Sequence, residues 1–144
     1  MRYLAENILK DLKRKMVFIG GPRQCGKTHL VQSLLKSRPE PSLLLNWDNE
    51  DDRRVILQKS WSETNTYLAF DELHKRPKWK QWIKGIYDKH HDQHRLIVTG
   101  SARLDVYRRG GDSLLGRYHY WRLHPFSLHE AEASLIERKF FPGS

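Results

Sequence analysis

The sequence predicts an α/β fold with three layers, in which a mostly parallel five-stranded sheet is covered by helices on both faces. Short apolar runs typical of buried strands recur along the chain, and stretches with helical spacing separate them. A glycine-containing pattern that binds phosphate joins the first apolar run to the next helix. With 144 residues, the chain is long enough for one hydrophobic core, so we expect residues 1–144 to form a single domain.

Strands are predicted where four to six mainly apolar residues lie between charged or turn-forming segments. In the first of them, Met16 to Ile19 follows three basic residues, as expected of a strand buried in a parallel sheet. The expected strands span residues 16–19, 42–47, 67–70, 95–99 and 118–123.

Helices are predicted where apolar residues share one face. Leu4, Ile8 and Leu12 are four residues apart, and Pro77 opens a helix with Trp79 and Trp82 on one face. We expect the charged run 48–54 to precede a short helix rather than to form part of it. The expected helices span residues 2–12, 28–36 and 55–59, the stretch after Pro77, and residues 127–138, where Ser127 is the expected cap.

The segment from Gly21 to Thr28 matches the pattern G-x-x-x-x-G-K-[ST], which wraps the phosphates of a nucleotide. Close approach of the backbone to a polyphosphate favours residues without a Cβ, as at Gly21 and Gly26. Lys27 supplies a positive charge, and the Thr28 hydroxyl is a ligand for Mg²⁺. The predicted nucleotide-binding residues are Gly21, Pro22, Arg23, Gln24, Cys25, Gly26, Lys27, Thr28 and His29.

Two carboxylates follow the third predicted strand. A Mg²⁺ ion held by a threonine hydroxyl needs an additional carboxylate, normally at the end of another strand, and Asp71 is predicted to supply it. Adjacent residues at a strand end point in different directions, so Glu72 is expected to point away from Asp71. We therefore expect Glu72 to orient or deprotonate the attacking water. The alternative is a solvated acidic pair.

The fourth predicted strand ends in Thr99-Gly100-Ser101. If this strand lies between the first and third strands, Thr99 and Ser101 emerge beside the γ-phosphate, where a hydroxyl can position water. A plain turn from strand to loop is the alternative.

Four ordered motifs resemble the ATPase domain of AAA+-related P-loop ATPases, a domain often paired with a C-terminal domain of unknown function. The motifs lie at residues 21–28, 70–75, 99–102 and 111–127. The resemblance implies an additional strand between the Walker A and Walker B strands, ATP rather than GTP, and Arg117 as a finger or sensor arginine. The sequence stops soon after the helix predicted at 127–138, before the family's helical lid and C-terminal domain, so we expect an N-terminal part of a longer protein with slow turnover by itself.

The chemistry of arginine also supports a catalytic role for Arg117, independently of the resemblance. Arginine stabilises charge on a transferring phosphoryl group, often from a neighbouring subunit, which favours a homo-oligomer. Arg103, Arg108 and Arg109 are further candidates, and a structural ion pair is the alternative.

The amino-acid composition limits the cellular compartment and the kinds of partner that we expect. Lys and Arg outnumber Asp and Glu by 26 to 17, a net charge of +9 that suits nucleic acid or, equally, a basic solvated surface. The single cysteine, Cys25, excludes an intramolecular disulfide and favours a reducing compartment. No apolar stretch approaches the length of a membrane span, so the expected location is the cytoplasm without membrane contact.

Two weaker patterns lie in the second half of the chain. His90 and His94 have a spacing compatible with metal binding, but without a third ligand a solvated helix end is favoured. Lysines and tryptophans alternate at residues 78–84, as on surfaces that bind nucleic acid, although packing of Trp79 and Trp82 on a sheet is favoured.

The sequence therefore predicts a Mg²⁺-dependent ATPase. Its predicted catalytic residues are Glu72, Lys27, Thr99 and Arg117, its metal ligands are Thr28 and Asp71, and its cofactors are ATP and Mg²⁺. The alternative function is a nucleotide-dependent switch without hydrolysis, or a nucleic-acid-binding module.

Overall fold

A computed structural model describes residues 2–22, 26–101, 114 and 116–123. The helices are α1 (Arg2–Leu12), α2 (Lys27–Lys36), α3 (Glu50–Gln58) and α4 (Trp79–His90), with a 3₁₀ turn at Leu73–Lys75. The strands are β1 (Met16–Gly20), β2 (Ser42–Asn46), β3 (Tyr67–Asp71), β4 (Arg95–Gly100) and β5 (Tyr118–Arg122). The predicted helix at 127–138 lies outside the described residues.

The five strands form one parallel sheet in the order β2-β3-β4-β1-β5. The predicted α/β class and the additional strand between the phosphate-loop strand and the acidic strand are confirmed, because β4 pairs with both β1 and β3. Since all strands run the same way, Gly20, Asp71 and Gly100 lie at one edge of the sheet, here called the carboxyl edge. The opposite, amino edge holds the starts of the strands.

Side chains that alternate along the strands bury two separate apolar layers. Val17 and Ile19 of β1 pack with residues of α1 and α2, whereas Phe18 packs on the other side with residues of α3 and α4. Each face of the sheet is therefore covered by two helices, as the three-layer prediction requires. This packing fixes the strand ends that carry the candidate site.

The helix α3 begins earlier than predicted. It starts at Glu50, inside the charged run that was expected to precede the helix. The Asn49 side chain accepts a 2.9 Å hydrogen bond from Asp52 N, which satisfies a free donor of the first turn. Three acidic residues in that turn also interact favourably with the helix dipole, so capping outweighs the lack of apolar periodicity.

Within the described segments, every helix is too short or too polar to cross a bilayer.

Candidate nucleotide site

The phosphate loop connects β1 to α2 at the carboxyl edge. All five residues of β1 are buried, which anchors the start of the loop in the sheet. Gly26 caps α2 in the left-handed conformation (φ 90°, ψ 18°), a region that costs a residue with a Cβ about 1 kcal/mol or more. The predicted Arg23, Gln24 and Cys25 lie outside the described residues.

Lys27 is folded back over the loop that precedes it. Its side chain is buried, and Nζ donates hydrogen bonds of 2.9 Å to Gly21 O and 3.1 Å to Pro22 O. Both acceptors are neutral carbonyl oxygens, whereas a buried charge in a protein is ordinarily paired with an opposite charge. A polyanion bound beside Gly21 and Pro22 would therefore be a suitable counter-ion for Lys27. His29, one helical position beyond Thr28, is exposed.

Thr28 and Asp71 meet across the boundary between α2 and β3. Thr28 Oγ1 donates a 2.8 Å hydrogen bond to Asp71 Oδ2, and the Asp71 side chain is buried. The two predicted metal ligands are thus brought together although they are 43 positions apart in the chain. Hydroxyl and carboxylate oxygens are hard donors of the kind that Mg²⁺ prefers.

The donor set fits Mg²⁺ better than a softer metal. Among the residues that the structure describes, no group of three or more His, Cys, Asp or Glu side chains is arranged to hold a metal ion. Mg²⁺ is commonly bound through one or two protein oxygens and the phosphates of its nucleotide, and the chemistry of the Thr28–Asp71 pair fits this pattern.

Thr99 is fully buried beside Asp71. Its hydroxyl donates a short hydrogen bond to Asp71 Oδ1 and accepts a 3.3 Å bond from Glu72 N. In this arrangement the Thr99 hydroxyl holds the carboxylate that Thr28 contacts from the other side. The predicted role of Thr99 in positioning water stays a prediction.

Glu72 begins the turn after β3. Its backbone is left-handed (φ 59°, ψ 31°), so the side chain leaves the direction of the strand and diverges from Asp71. Glu72 Oε1 lies 3.5 Å from Lys75 Nζ and 3.8 Å from His74 Nε2. The carboxylate is therefore held beside one cation and one imidazole rather than free in solvent.

His74 and Lys75 belong to the site but were not predicted as site residues. Ser101 N donates to His74 Nδ1 at 3.4 Å, so His74 connects the end of β4 to Glu72. Burial lowers the pKa of His74, against the opposing effect of Glu72, so this imidazole is neutral near neutral pH. Lys75 Nζ also binds Asp48 at 2.8 Å, which raises the pKa of the lysine. The motif after Phe70 contains both residues, but only the turn geometry reveals their contacts.

Arg117 is not brought to this site. Met16 N donates to Arg117 O at the amino edge, and Arg117 Nε binds Asp88 Oδ1 of α4 at 2.8 Å. The length of β1, about 16 Å, separates that edge from the phosphate loop. Arg117 therefore does not reach the phosphate loop of its own chain. The other candidates, Arg103, Arg108 and Arg109, lie outside the described residues.

The two weaker patterns are resolved by burial. The expectation of a solvated helix end is wrong for His94, whose side chain is 2% exposed and whose Nδ1 lies 2.6 Å from Asn65 O. The favoured packing of the tryptophans is confirmed: Trp82 lies edge-on to Phe70, with ring centres 5.2 Å apart, and Trp79 lies 5.7 Å from Phe18.

Known proteins resemble this chain in sequence and in fold. A family model described as AAA domain matches residues 13–132. Two uncharacterized proteins, from Mycobacterium bovis and Mycobacterium tuberculosis, are each 25% identical over 128 residues, which is 89% of this chain. The chain spans only 29% of the length of these relatives.

Solved helicase structures share the fold. One describes DNA unwinding at forked double-stranded DNA by two coordinating Pif1 helicases; its TM-score is 0.53, at 13% identity over 85% of this chain and 42% of that chain. A Bacteroides Pif1 bound to single-stranded DNA gives 0.51, at 13% identity over 83% of this chain and 41% of that chain. Pif1 from Candida albicans gives 0.52, at 12% identity over 85% and 38%.

The family match covers most of the chain, from the turn before β1 to beyond β5, and the helicase likeness extends to the same parallel sheet. Together they identify an AAA-related P-loop nucleoside-triphosphatase fold. The chain belongs to the AAA domain family.

Proposed function

We propose that this domain binds MgATP at the phosphate loop and hydrolyses the γ-phosphate. The observation that carries the proposal is the 2.8 Å contact between Thr28 Oγ1 and Asp71 Oδ2. It places a hydroxyl from the helix after the loop against a buried carboxylate from another strand, as a shared Mg²⁺ requires. When bound, Mg²⁺ offsets the charge on the β- and γ-phosphates.

Lys27 is the residue assigned to the phosphates. Its hydrogen bonds to Gly21 O and Pro22 O hold the ammonium group at the mouth of the loop. Because these carbonyls are neutral, exchanging them for phosphate oxygens costs little and gains charge-assisted bonds. Lys27 then stabilises negative charge that develops on the phosphoryl oxygens as the bond to ADP breaks.

Glu72 is the residue assigned to water. It accepts a proton from water as the water oxygen forms a bond to the γ-phosphorus and the bond between that phosphorus and the bridging oxygen breaks, releasing ADP. Lys75 and His74, 3.5 Å and 3.8 Å from Glu72 Oε1, hold the carboxylate in place. We assign Thr99 a positioning role through Asp71, which its hydroxyl contacts.

Phosphate release and nucleotide binding test the two assignments separately. Lys27→Ala is expected to weaken ATP binding, and Glu72→Gln to retain binding while turnover falls by about two to four orders of magnitude. Glu63→Gln, at an exposed position, is the matched control for loss of one carboxylate. Hydrolysis by Glu72→Gln at the wild-type rate would show that Glu72 does not activate water.

A second candidate function is binding of nucleic acid. In this function the affinity for nucleic acid would be controlled by nucleotide hydrolysis, or by nucleotide binding alone. It is supported by the net charge of +9, and the similar helicase structures include one described with single-stranded DNA. Such binding weakens steeply with salt because counter-ions are released. Absence of binding to single-stranded DNA at low salt would remove this candidate.

The setting of the whole protein is also a proposal. We place the domain in the cytoplasm, as part of a longer protein that forms homo-oligomers, in line with the single cysteine and with relatives more than three times as long as the matched region.

A further inference from the structure

The Glu72 carboxylate is held through only one of its oxygens. Oε1 lies 3.5 Å from Lys75 Nζ and 3.8 Å from His74 Nε2. Both distances exceed the length of a charge-assisted hydrogen bond, which is about 2.7–2.9 Å. Among the residues that the structure describes, none forms a hydrogen bond or an ion pair with Glu72 Oε2. The carboxylate is therefore held loosely through Oε1, and Oε2 is left for the attacking water.

Lys75 is bound more closely by a second carboxylate, that of Asp48. Lys75 Nζ donates hydrogen bonds of 3.0 Å and 2.8 Å to the two oxygens of Asp48. The ammonium group thus lies between two carboxylates and is nearer to Asp48 than to Glu72. By sequence, Asp48 was only the first residue of the charged run 48–54, and nothing indicated that it belongs to the site.

The turn after β2 fixes the backbone at Asp48. Because β2 pairs with β3 and Asn46 lies opposite Asp71, the turns that follow these two strands lie side by side. Trp47 N donates a 3.0 Å hydrogen bond to Asp71 O, and Asp48 N donates one of 2.9 Å to Asn46 Oδ1. The Asp48 carboxylate is therefore a defined anchor for Lys75, although the two residues are 27 positions apart in the chain.

The distance between Lys75 and Glu72 matters for the chemistry of water. An ammonium group in direct contact with a carboxylate draws it into an ion pair and occupies the lone pairs that a water molecule needs. The side chains of Lys75 and Asp48 are 37% and 43% exposed. Because an ion pair this exposed contributes little to stability, its main consequence is the position of the ammonium group.

We propose that Asp48 is a positioning residue for hydrolysis. It retains Lys75 near Glu72 but prevents the ammonium group from closing on the carboxylate, so that Glu72 stays available to accept a proton from water. This role rests on the proposed function, because Asp48 acts only through Lys75 and Glu72. It follows that loss of Asp48 is harmful only while Lys75 is present.

Phosphate release by two single variants and the double variant D48N/K75M tests this dependence. Asp48→Asn is expected to lower kcat about tenfold with ATP affinity unchanged, because Lys75 closes on Glu72. Lys75→Met removes one contact of Glu72 and should lower kcat by about two- to threefold. The double variant should recover the rate of Lys75→Met, a rescue that misfolding of Asp48→Asn does not allow. Asp51→Asn, which breaks the exposed ion pair with Arg54, is the matched control and should leave kcat unchanged.

The NMR signal of the Glu72 carboxyl carbon reports the same contact without turnover. We expect Asp48→Asn to shift this signal, and D48N/K75M to match Lys75→Met. An unchanged signal in Asp48→Asn overturns the proposal, as does a double variant no faster than Asp48→Asn when the wild type hydrolyses ATP. Absence of phosphate release by the wild type contradicts the proposed hydrolysis instead, and the Glu72 signal then still decides whether Asp48 positions Lys75.

Discussion

Thr28 Oγ1 and Asp71 Oδ2 are joined by a 2.8 Å hydrogen bond that connects α2, the helix after the phosphate loop, to β3. In the sheet, β3 lies two strands away from β1, the strand that leads into the loop. Thr99 lies near the end of β4, the strand between β1 and β3, and its hydroxyl donates to the other oxygen of the Asp71 carboxylate. Three elements that are remote in sequence thus converge on Asp71. The orientation of this carboxylate depends on both hydroxyl groups.

The hydroxyl of Thr28 should matter more than its methyl group. Thr28→Ala is expected to lower Mg²⁺-dependent phosphate release by about tenfold to a hundredfold, because the metal loses an oxygen ligand and Asp71 loses a donor. Thr28→Ser keeps the hydroxyl and should retain most of the rate. Measuring the rate against Mg²⁺ concentration tests this. Equal rates for the Ala and Ser variants would show that the hydroxyl has no part in metal binding.

His74 should make stability depend on pH. Burial lowers its pKa, so above the ordinary imidazole pKa the side chain is neutral in both folded and unfolded chains and contributes no pH dependence. Below that value the unfolded chain binds a proton that the folded chain does not. Stability is therefore lost as the pH falls toward the lowered pKa, by at most about 1.4 kcal/mol per pH unit from this one group.

His74→Gln should consequently lose less stability than wild type between about pH 7 and about pH 5. Urea unfolding at each pH measures the difference, and His91→Gln, at an exposed histidine, is the control. Identical pH profiles for wild type and His74→Gln would mean that His74 titrates normally. The same variant should slow phosphate release, since Glu72 loses one of its neighbours.

Local patterns were sufficient for the fold and for the phosphate loop. The five strands were predicted from apolar runs, whereas the position of β4 between β1 and β3 was implied by the resemblance to AAA+-related P-loop ATPases. The convergence of Thr28 and Asp71 was expected because a Mg²⁺ ion held by a threonine hydroxyl needs a carboxylate at another strand end. The contacts of His74 and Lys75 with Glu72 were not. They depend on the left-handed backbone at Glu72, which turns the chain back on itself and which residue type does not reveal.

The start of α3 shows a different failure of prediction from apolar periodicity. Residues 50–54 are all charged, and a helix there is specified by its cap rather than by an apolar face. His94 is the converse case, because neither its polar neighbours nor its spacing indicated burial. Its environment is set by the loop carbonyl of Asn65, 29 positions away.

Asn49 provides a direct test of the cap. Asn49→Ala is expected to lower the free energy of unfolding by about 1 kcal/mol, since the 2.9 Å hydrogen bond from Asp52 N is lost. Asn49→Asp keeps an acceptor and should cost less. Chemical denaturation of the three proteins measures the effect. Equal losses for the Ala and Asp variants would indicate that the cap does not stabilise α3.

Trp82 should contribute to stability rather than to binding of nucleic acid. Its ring contacts Phe70 and lies 6.2 Å from Trp61, with the Arg76 guanidinium 5.3 Å from the ring centre. Trp82→Ala should cost about 2–4 kcal/mol, somewhat below the range for fully buried aromatic residues, and Trp82→Phe clearly less. A Trp82→Ala variant with wild-type stability but weaker DNA binding would favour the surface interpretation instead.

Arg117 should assist hydrolysis only from a neighbouring chain. Its own phosphate loop lies at the other edge of the sheet, and in its own chain Arg117 binds Asp88. A role in catalysis therefore requires a second copy that presents this edge to the nucleotide, and the ion pair with Asp88 has to be exchanged for contact with phosphate. Because an exposed ion pair contributes only about 0–1 kcal/mol, the exchange is energetically accessible.

Turnover per chain measured over a range of protein concentrations tests this requirement. We expect the rate to rise with concentration for wild type and to stay low for Arg117→Ala; arginine fingers contribute about a thousandfold or more when fully engaged. Asp88→Asn is the matched control, because it weakens the same ion pair while keeping the arginine, and it should reach the higher rate at lower concentration. A rate independent of concentration, unchanged in both variants, would show that Arg117 serves only to connect α4 to β5.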